Sequence, residues 1–134
     1  GKAVYSENGT SWSGGTDLPS KSGQRDQNSI ASNGSIFLSV SYGIGKAYTS
    51  TNGKDWKIQS GYTGTGSGYS TVWDGNQFVA VGNQSKCLTS PDAVTWTNQS
   101  GLISAIGSGL AMNAVVWTGT QLVAVGAKGT CATS

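Results

Sequence analysis

The sequence predicts an all-β chain of repeated four-stranded antiparallel units, and three observations predict it. The pattern Ser-x-(Asn/Asp)-(Gly/Ala)-x-x-Trp occurs at Ser6 to Trp12, Ser50 to Trp56 and Ser90 to Trp96, its tryptophans 44 and then 40 residues apart. A second pattern, Trp73-Asp74-Gly75-Asn76-Gln77-Phe78-Val79-Ala80-Val81-Gly82, returns 44 residues on as Trp117-Thr118-Gly119-Thr120-Gln121-Leu122-Val123-Ala124-Val125-Gly126. The composition, rich in Gly, Ser, Thr and Asn with only 10% of residues charged, suits strands joined by tight turns and leaves almost no helix to expect.

The elements follow the period. Gly1 to Ser6 reads as a third strand and Ser11 to Ser13 as a fourth, and Ser32 to Val40 is a weaker copy of the second pattern, with Ser32 where tryptophan stands later. Residues 69–99 show one unit most clearly. Tyr69 to Trp73 is a β-rich run that meets Asp74-Gly75, a two-residue hairpin signal, and Gln77 to Val81 resumes as an apolar strand. Lys86 to Ser90 alternates with period two, and Val94 to Asn98 follows the turn at Pro91-Asp92-Ala93. Long crossings at 14–28, 60–68 and 100–112 connect the units.

A four-stranded meander recurring every 40 to 45 residues is the repeat of a β-propeller blade. The expected fold is therefore a propeller segment of three repeats, approximately 1–44, 45–84 and 85–128, with 129–134 starting a fourth. Rings of blades usually close with about 4–8 units. The segment is expected to stay open or to be completed by oligomerisation or by the remainder of a longer propeller.

Charge and cysteine usage exclude several functions. A net charge of +2, spread over seven lysines and one arginine without a cluster, gives no footprint for nucleic acid. No run approaches the roughly 18 apolar residues of a membrane span, so membrane insertion is not expected. Cys87 and Cys131 occupy equivalent repeat positions, where Ala3 and Ala47 stand earlier, which marks a small inward-facing site and predicts two buried free thiols. Two sulfurs without any histidine cannot complete a zinc site, and neither metal nor cofactor is expected.

The turn at Ser6, Gly9 and Trp12, repeated at Ser50, Gly53 and Trp56 and at Ser90, Asp92 and Trp96, resembles the Asp-box (BNR-type) repeat of sialidases, sortilin-type receptors and photosystem assembly factors. In those families the box is a structural turn, so the resemblance implies a propeller and not an activity. Asn8 and Asn52 depart from the usual aspartate, and Ala93 from the usual glycine, which predicts a distorted third turn. The wider pattern resembles tandem repeats of bacterial surface or secreted proteins, which implies a secreted or cell-surface location.

No catalytic residue is assigned. Sialidase chemistry calls for an arginine cluster, and the chain has Arg25 alone. Histidine is lacking, and Glu7, Asp55, Asp74 and Asp92 belong to turns, which leaves Asp17 and Asp26 without a turn role and Arg25-Asp26 as a local ion pair. Binding remains. Trp12, Trp56 and Trp96 are expected to pack between units. Trp73 and Trp117 carry two readings, stacking on a sugar ring or packing on a neighbouring unit. With Tyr69, Asn76 and Asn113, and the further polar and aromatic residues Asn28, Tyr62 and Asn83, they suggest a lectin-like module with repeated sites. The alternatives are a protein-binding or structural scaffold, a self-assembling surface or filament subunit, and an engineered or proteolytic fragment of a longer propeller.

Overall fold

The computed structural model describes residues 2–19, 26–43, 45–62 and 66–134. They form four antiparallel sheets in chain order. The first pairs β1 (Lys2–Tyr5) with β2 (Ser13–Asp17). The second is a meander of β3 (Gln27–Ser32), β4 (Phe37–Ser41), β5 (Ala47–Ser50) and β6 (Lys57–Gln59). The third repeats it with β7 (Gly68–Trp73), β8 (Phe78–Gly82), β9 (Cys87–Ser90) and β10 (Thr97–Gln99). The fourth holds β11 (Met112–Trp117), β12 (Leu122–Gly126) and β13 (Cys131–Thr133). The chain is all-β.

Several boundaries differ from expectation, for local reasons. The strand expected at Ser11 to Ser13 begins at Ser13 and runs to Asp17, because Thr16 donates its amide to the Lys54 carbonyl at 3.0 Å and so extends the strand against the next sheet. The strand expected from Val94 starts at Thr97, since the Val94 and Thr95 amides are spent on Asp92 Oδ1. The Asp74-Gly75 hairpin is wider than two residues. Asp74 Oδ1 accepts from the amides of Asn76 and Gln77, so residues 74–77 all belong to the turn and Trp73 faces Phe78.

The crossing at 100–112 contains a helix that composition did not foretell, α1 (Gly101–Ile106). Leu102 and Ala105 favour it. It ends at Gly107, whose left-handed φ of 84° lets its amide bond the Ile103 carbonyl. Residues 63–65 of another crossing, and Arg25 of the expected Arg25–Asp26 pair, lie outside the described residues.

The main core lies between the second and third sheets, where Leu38, Val40, Phe78, Ala80 and Leu88 are buried together. All five residues of β8, Phe-Val-Ala-Val-Gly, are buried, which explains a continuous apolar run where a half-exposed strand would alternate. Burying each large side chain there contributes about 1.5–3 kcal/mol. Within the third and fourth sheets the first and second strands approach closely at the glycine that ends the apolar run. A Cβ on Gly82 would overlap the Ser67 carbonyl, and one on Gly126 the Ala111 carbonyl.

The inner strands β3, β7 and β11 lie side by side. The Thr71 amide donates to Ser29 Oγ at 3.0 Å, and one sheet further the Val115 amide donates to Ser70 Oγ at 3.1 Å. Ser29 and Ser70 are equivalent repeat positions, so one hydroxyl device joins successive sheets twice.

Candidate functional site

Each inner strand carries a bulge at the same place. Gln27 pairs with Ser41 and Ser29 with Val40, leaving Asn28 extra; the shifts at Gly68/Ser70 and Met112/Ala114 leave Tyr69 and Asn113 extra in the same way. A bulge inserts an unpaired residue and re-aims its side chain. Three equivalent bulged residues, Asn28, Tyr69 and Asn113, therefore stand in a row at one end of the inner strands. Asn28 Nδ2 donates to the Gly68 carbonyl at 3.2 Å and ties the first to the second.

Tyr69 stacks on Tyr42, ring centroids 5.9 Å apart and planes 17° apart. Tyr42 follows β4 directly and is 45% exposed, so the pair presents an aromatic face to solvent. Beside it the Gly43 amide donates to Ser67 Oγ at 2.8 Å. Tyr42 has no aromatic counterpart in the other repeats, where Asn83 and Ala127 stand, and periodicity offered no signal for it.

Trp73, Asn76 and Trp117 occupy the opposite end. Trp73 lies four residue steps along β7 from Tyr69, about 13 Å at ~3.3 Å per residue. Trp73 is half-buried, meets Phe78 edge-on with centroids 4.8 Å apart, and packs on the main core. Trp117 is half-buried and Asn76 exposed in the turn after Trp73. The structure thus gathers Tyr69 with Asn113 at one rim and Trp73, Asn76 and Trp117 at the other.

The tryptophan turns share one hydrogen-bond scheme. Ser6 Oγ accepts the Gly9 amide and Asn8 Oδ1 accepts those of Thr10 and Ser11, each at 2.9 Å. Ser50 and Asn52 repeat this with Gly53, Lys54 and Asp55, again at 2.9 Å. In the third turn Asp92 accepts from Val94 and Thr95 at 2.8 and 2.7 Å. Those two amides, Thr95 first, lower the Asp92 carboxyl to about 2. The expected distortion does not occur, because Ala93 itself adopts φ 61°, close to the 70° of Gly53. The Trp56 and Trp96 indoles donate to the carbonyls of Gly53 and Ala93 at 3.1 and 3.2 Å.

Three of the six acids are committed locally. Asp74 and Asp92 hold turn amides, and Asp55 accepts the Asn52 side-chain amide at 2.9 Å. The two thiols are free but not equally buried. Cys87 is half-buried, its thiol pushed up to about 11 by burial, whereas Cys131 is exposed because β13 is the open edge of its sheet. Among the described residues no three His, Cys, Asp or Glu side chains group to hold a metal, and no helix is long and apolar enough to cross a membrane.

No protein-family model matches this chain. A search of curated proteins likewise finds no match.

Proposed function

We propose that the chain is a non-enzymatic carbohydrate-binding module whose sheets are successive blades of a β-propeller. The blade reading is supported by meanders of sequence neighbours, by inner strands set side by side, and by the repeated serine-to-amide bond between them. The binding reading rests on the row of bulged residues. Asn28, Tyr69 and Asn113 present two amides around an aromatic residue, and Tyr42 widens that residue into an exposed stacked pair. A sugar ring offers an apolar face to such a platform and hydroxyls to its flanking amides. Sites repeated around a ring would add avidity.

Non-enzymatic action is favoured because Asp74 and Asp92 are engaged with turn amides. A glycan array probed with the purified chain tests the proposal. Binding of at least one glycan class is expected, weakened about tenfold or more by Tyr42→Ala or Tyr69→Ala and little changed by Trp117→Phe. An array without binding, or binding indifferent to both tyrosines, would overturn it.

A further inference from the structure

Lysine recurs at one structural position of the repeat. Lys46 and Lys86 each close the loop between the second and third strands of their sheet: the Ser41 amide donates to the Lys46 carbonyl at 3.0 Å, and the Gly82 amide to the Lys86 carbonyl at 3.2 Å. Lys2 stands in the same place ahead of Ala3. In the fourth sheet Thr130 takes that role, accepting from the Gly126 amide at 2.9 Å, and Lys128 precedes it by two residues in the same loop. Lysines that are scattered in sequence thus become a row in the fold.

The row runs along the rim of the aromatic pair. Val40 pairs with Ala47, Val81 with Cys87 and Val125 with Cys131, so each of these loops lies at the end of its sheet where the inner strand begins with its bulge. Tyr42 belongs to the loop that Lys46 closes. The Gly43 amide donates to Ser67 Oγ at 2.8 Å, and the Ser67 carbonyl accepts the Asn83 amide at 3.0 Å, which ties the loop of Lys46 to that of Lys86 across the start of β7. Two acids share this rim among the described residues. Asp17 faces Lys2 in the ladder of the first sheet, and Asp26 is exposed, its carbonyl accepting the Tyr42 amide at 2.9 Å.

The opposite rim holds the remaining acids. Glu7, Asp55, Asp74 and Asp92 all sit in turns at the far ends of the strands, in the company of Lys54 and Lys57. The Lys54 ammonium lies over the Tyr5 ring, 4.4 Å from its centroid. The two rims are about 13 Å apart at ~3.3 Å per strand residue, beyond the screening length of about 8 Å at physiological ionic strength. The far acids therefore do little to offset Lys46, Lys86 and Lys128 at the aromatic face.

We propose that the glycan taken by this rim is acidic, a chain of sugars bearing carboxylate or sulfate groups, whose rings stack on Tyr42 and Tyr69 while Lys46, Lys86 and Lys128 receive its charges. This inference rests on the binding function proposed above and adds the class of ligand. The amides of Asn28 and Asn113 suit hydroxyls, whereas the lysines act on charge. Set on successive sheets, the lysines meet charges spaced along a chain rather than a single anion.

Isothermal titration with tetragalacturonate, its fully methyl-esterified form and a heparin tetrasaccharide tests the proposal. The ester keeps the rings and removes the charge. At least one of the two acidic probes is expected to bind about tenfold or more tighter than the ester, and the preference between them separates carboxylate from sulfate. Raising salt from 0.1 to 1 M, which shortens screening from about 10 to about 3 Å, should remove that advantage. Lys46→Gln and Lys128→Gln should each weaken the acidic probe about fivefold, the effect of one charge pair about 4 Å apart in water, and leave the ester's affinity unchanged. Lys57→Gln, on the far rim, should change neither. An ester bound as tightly as the acids, or acid binding indifferent to Lys46→Gln and Lys128→Gln together, would overturn the acidic specificity and leave glycan binding standing. Single-stranded oligothymidine bound more tightly than either acidic glycan would overturn it as well. Binding of none of the probes would also sink it, and the glycan array then decides whether the binding function falls with it.

Discussion

Trp96 stands edge-on to Tyr62, with ring centroids 5.0 Å apart and planes at 89°. The contact joins the end of the third sheet's tryptophan turn to the crossing that follows the second. Tyr62 is buried, and burial pushes its phenol up to about 12, so the ring stays neutral through the physiological range. Trp96→Ala should cost about 3–5 kcal/mol in urea unfolding. A double-mutant cycle with Tyr62→Ala should return a coupling of about 0.5–1.5 kcal/mol.

Asp92 gives the third turn a pH dependence that Asn8 and Asn52 deny the other two. Its folded pKa is depressed to about 2, below the unfolded value near 3.9. The stabilisation is therefore present above about pH 4 and lost as pH falls toward 2. Asp92→Asn should keep the amide acceptor and flatten the melting temperature between pH 4 and 2. Thermal melts of both proteins across that range check it; parallel curves would show that the turn amides do not hold the carboxylate.

The left-handed turn position tests strain directly. Gly53 has φ 70° and ordinary room for a methyl, the nearest atom to a Cβ being on Phe37 at 3.9 Å. Gly53→Ala should cost about 1–2 kcal/mol from backbone conformation alone. Ala93 already bears that strain, but its methyl is buried. In Ala93→Gly, relief of about 1 kcal/mol and loss of about 0.8 kcal/mol of methyl burial should nearly cancel. Denaturant midpoints of the two variants provide the comparison.

The cysteines should separate kinetically. Cys131 is exposed, while Cys87 is half-buried with its thiol raised to about 11, and the thiolate is the reactive form. A thiol reagent at neutral pH should modify one cysteine quickly and the second only slowly, and peptide mapping should place the first label on Cys131. Equal rates would contradict the difference in burial.

Strand order and the repeated turns were legible because both recur. Of the three tryptophans expected to pack between units, Trp56 and Trp96 do so and Trp12, 63% exposed, does not; the apolar run at Phe78 to Val81 is the most buried strand. What the period could not carry was anything that happens once. The crossings do not repeat, so α1 and the length of β2 were missed. The delayed start of β10 depends on where Asp92 spends its hydrogen bonds, which a propensity cannot see. The bulges were invisible for another reason: a single inserted residue leaves no mark in composition, yet it aligns Asn28, Tyr69 and Asn113. Tyr42 joined that row only through space.

Among the described residues every strand ladder joins neighbours in sequence, as in the register of β7 with β8 and β8 with β9. Contacts that span a repeat, such as Thr71 to Ser29 at a separation of 42 residues, come only between sheets. Loop closure within a sheet is therefore short and entropically cheap. A nascent chain can complete each meander as its last strand leaves the ribosome and dock it on the one already made. Growth by tandem gene duplication follows the same path, since an added copy needs only the face its predecessor left uncovered.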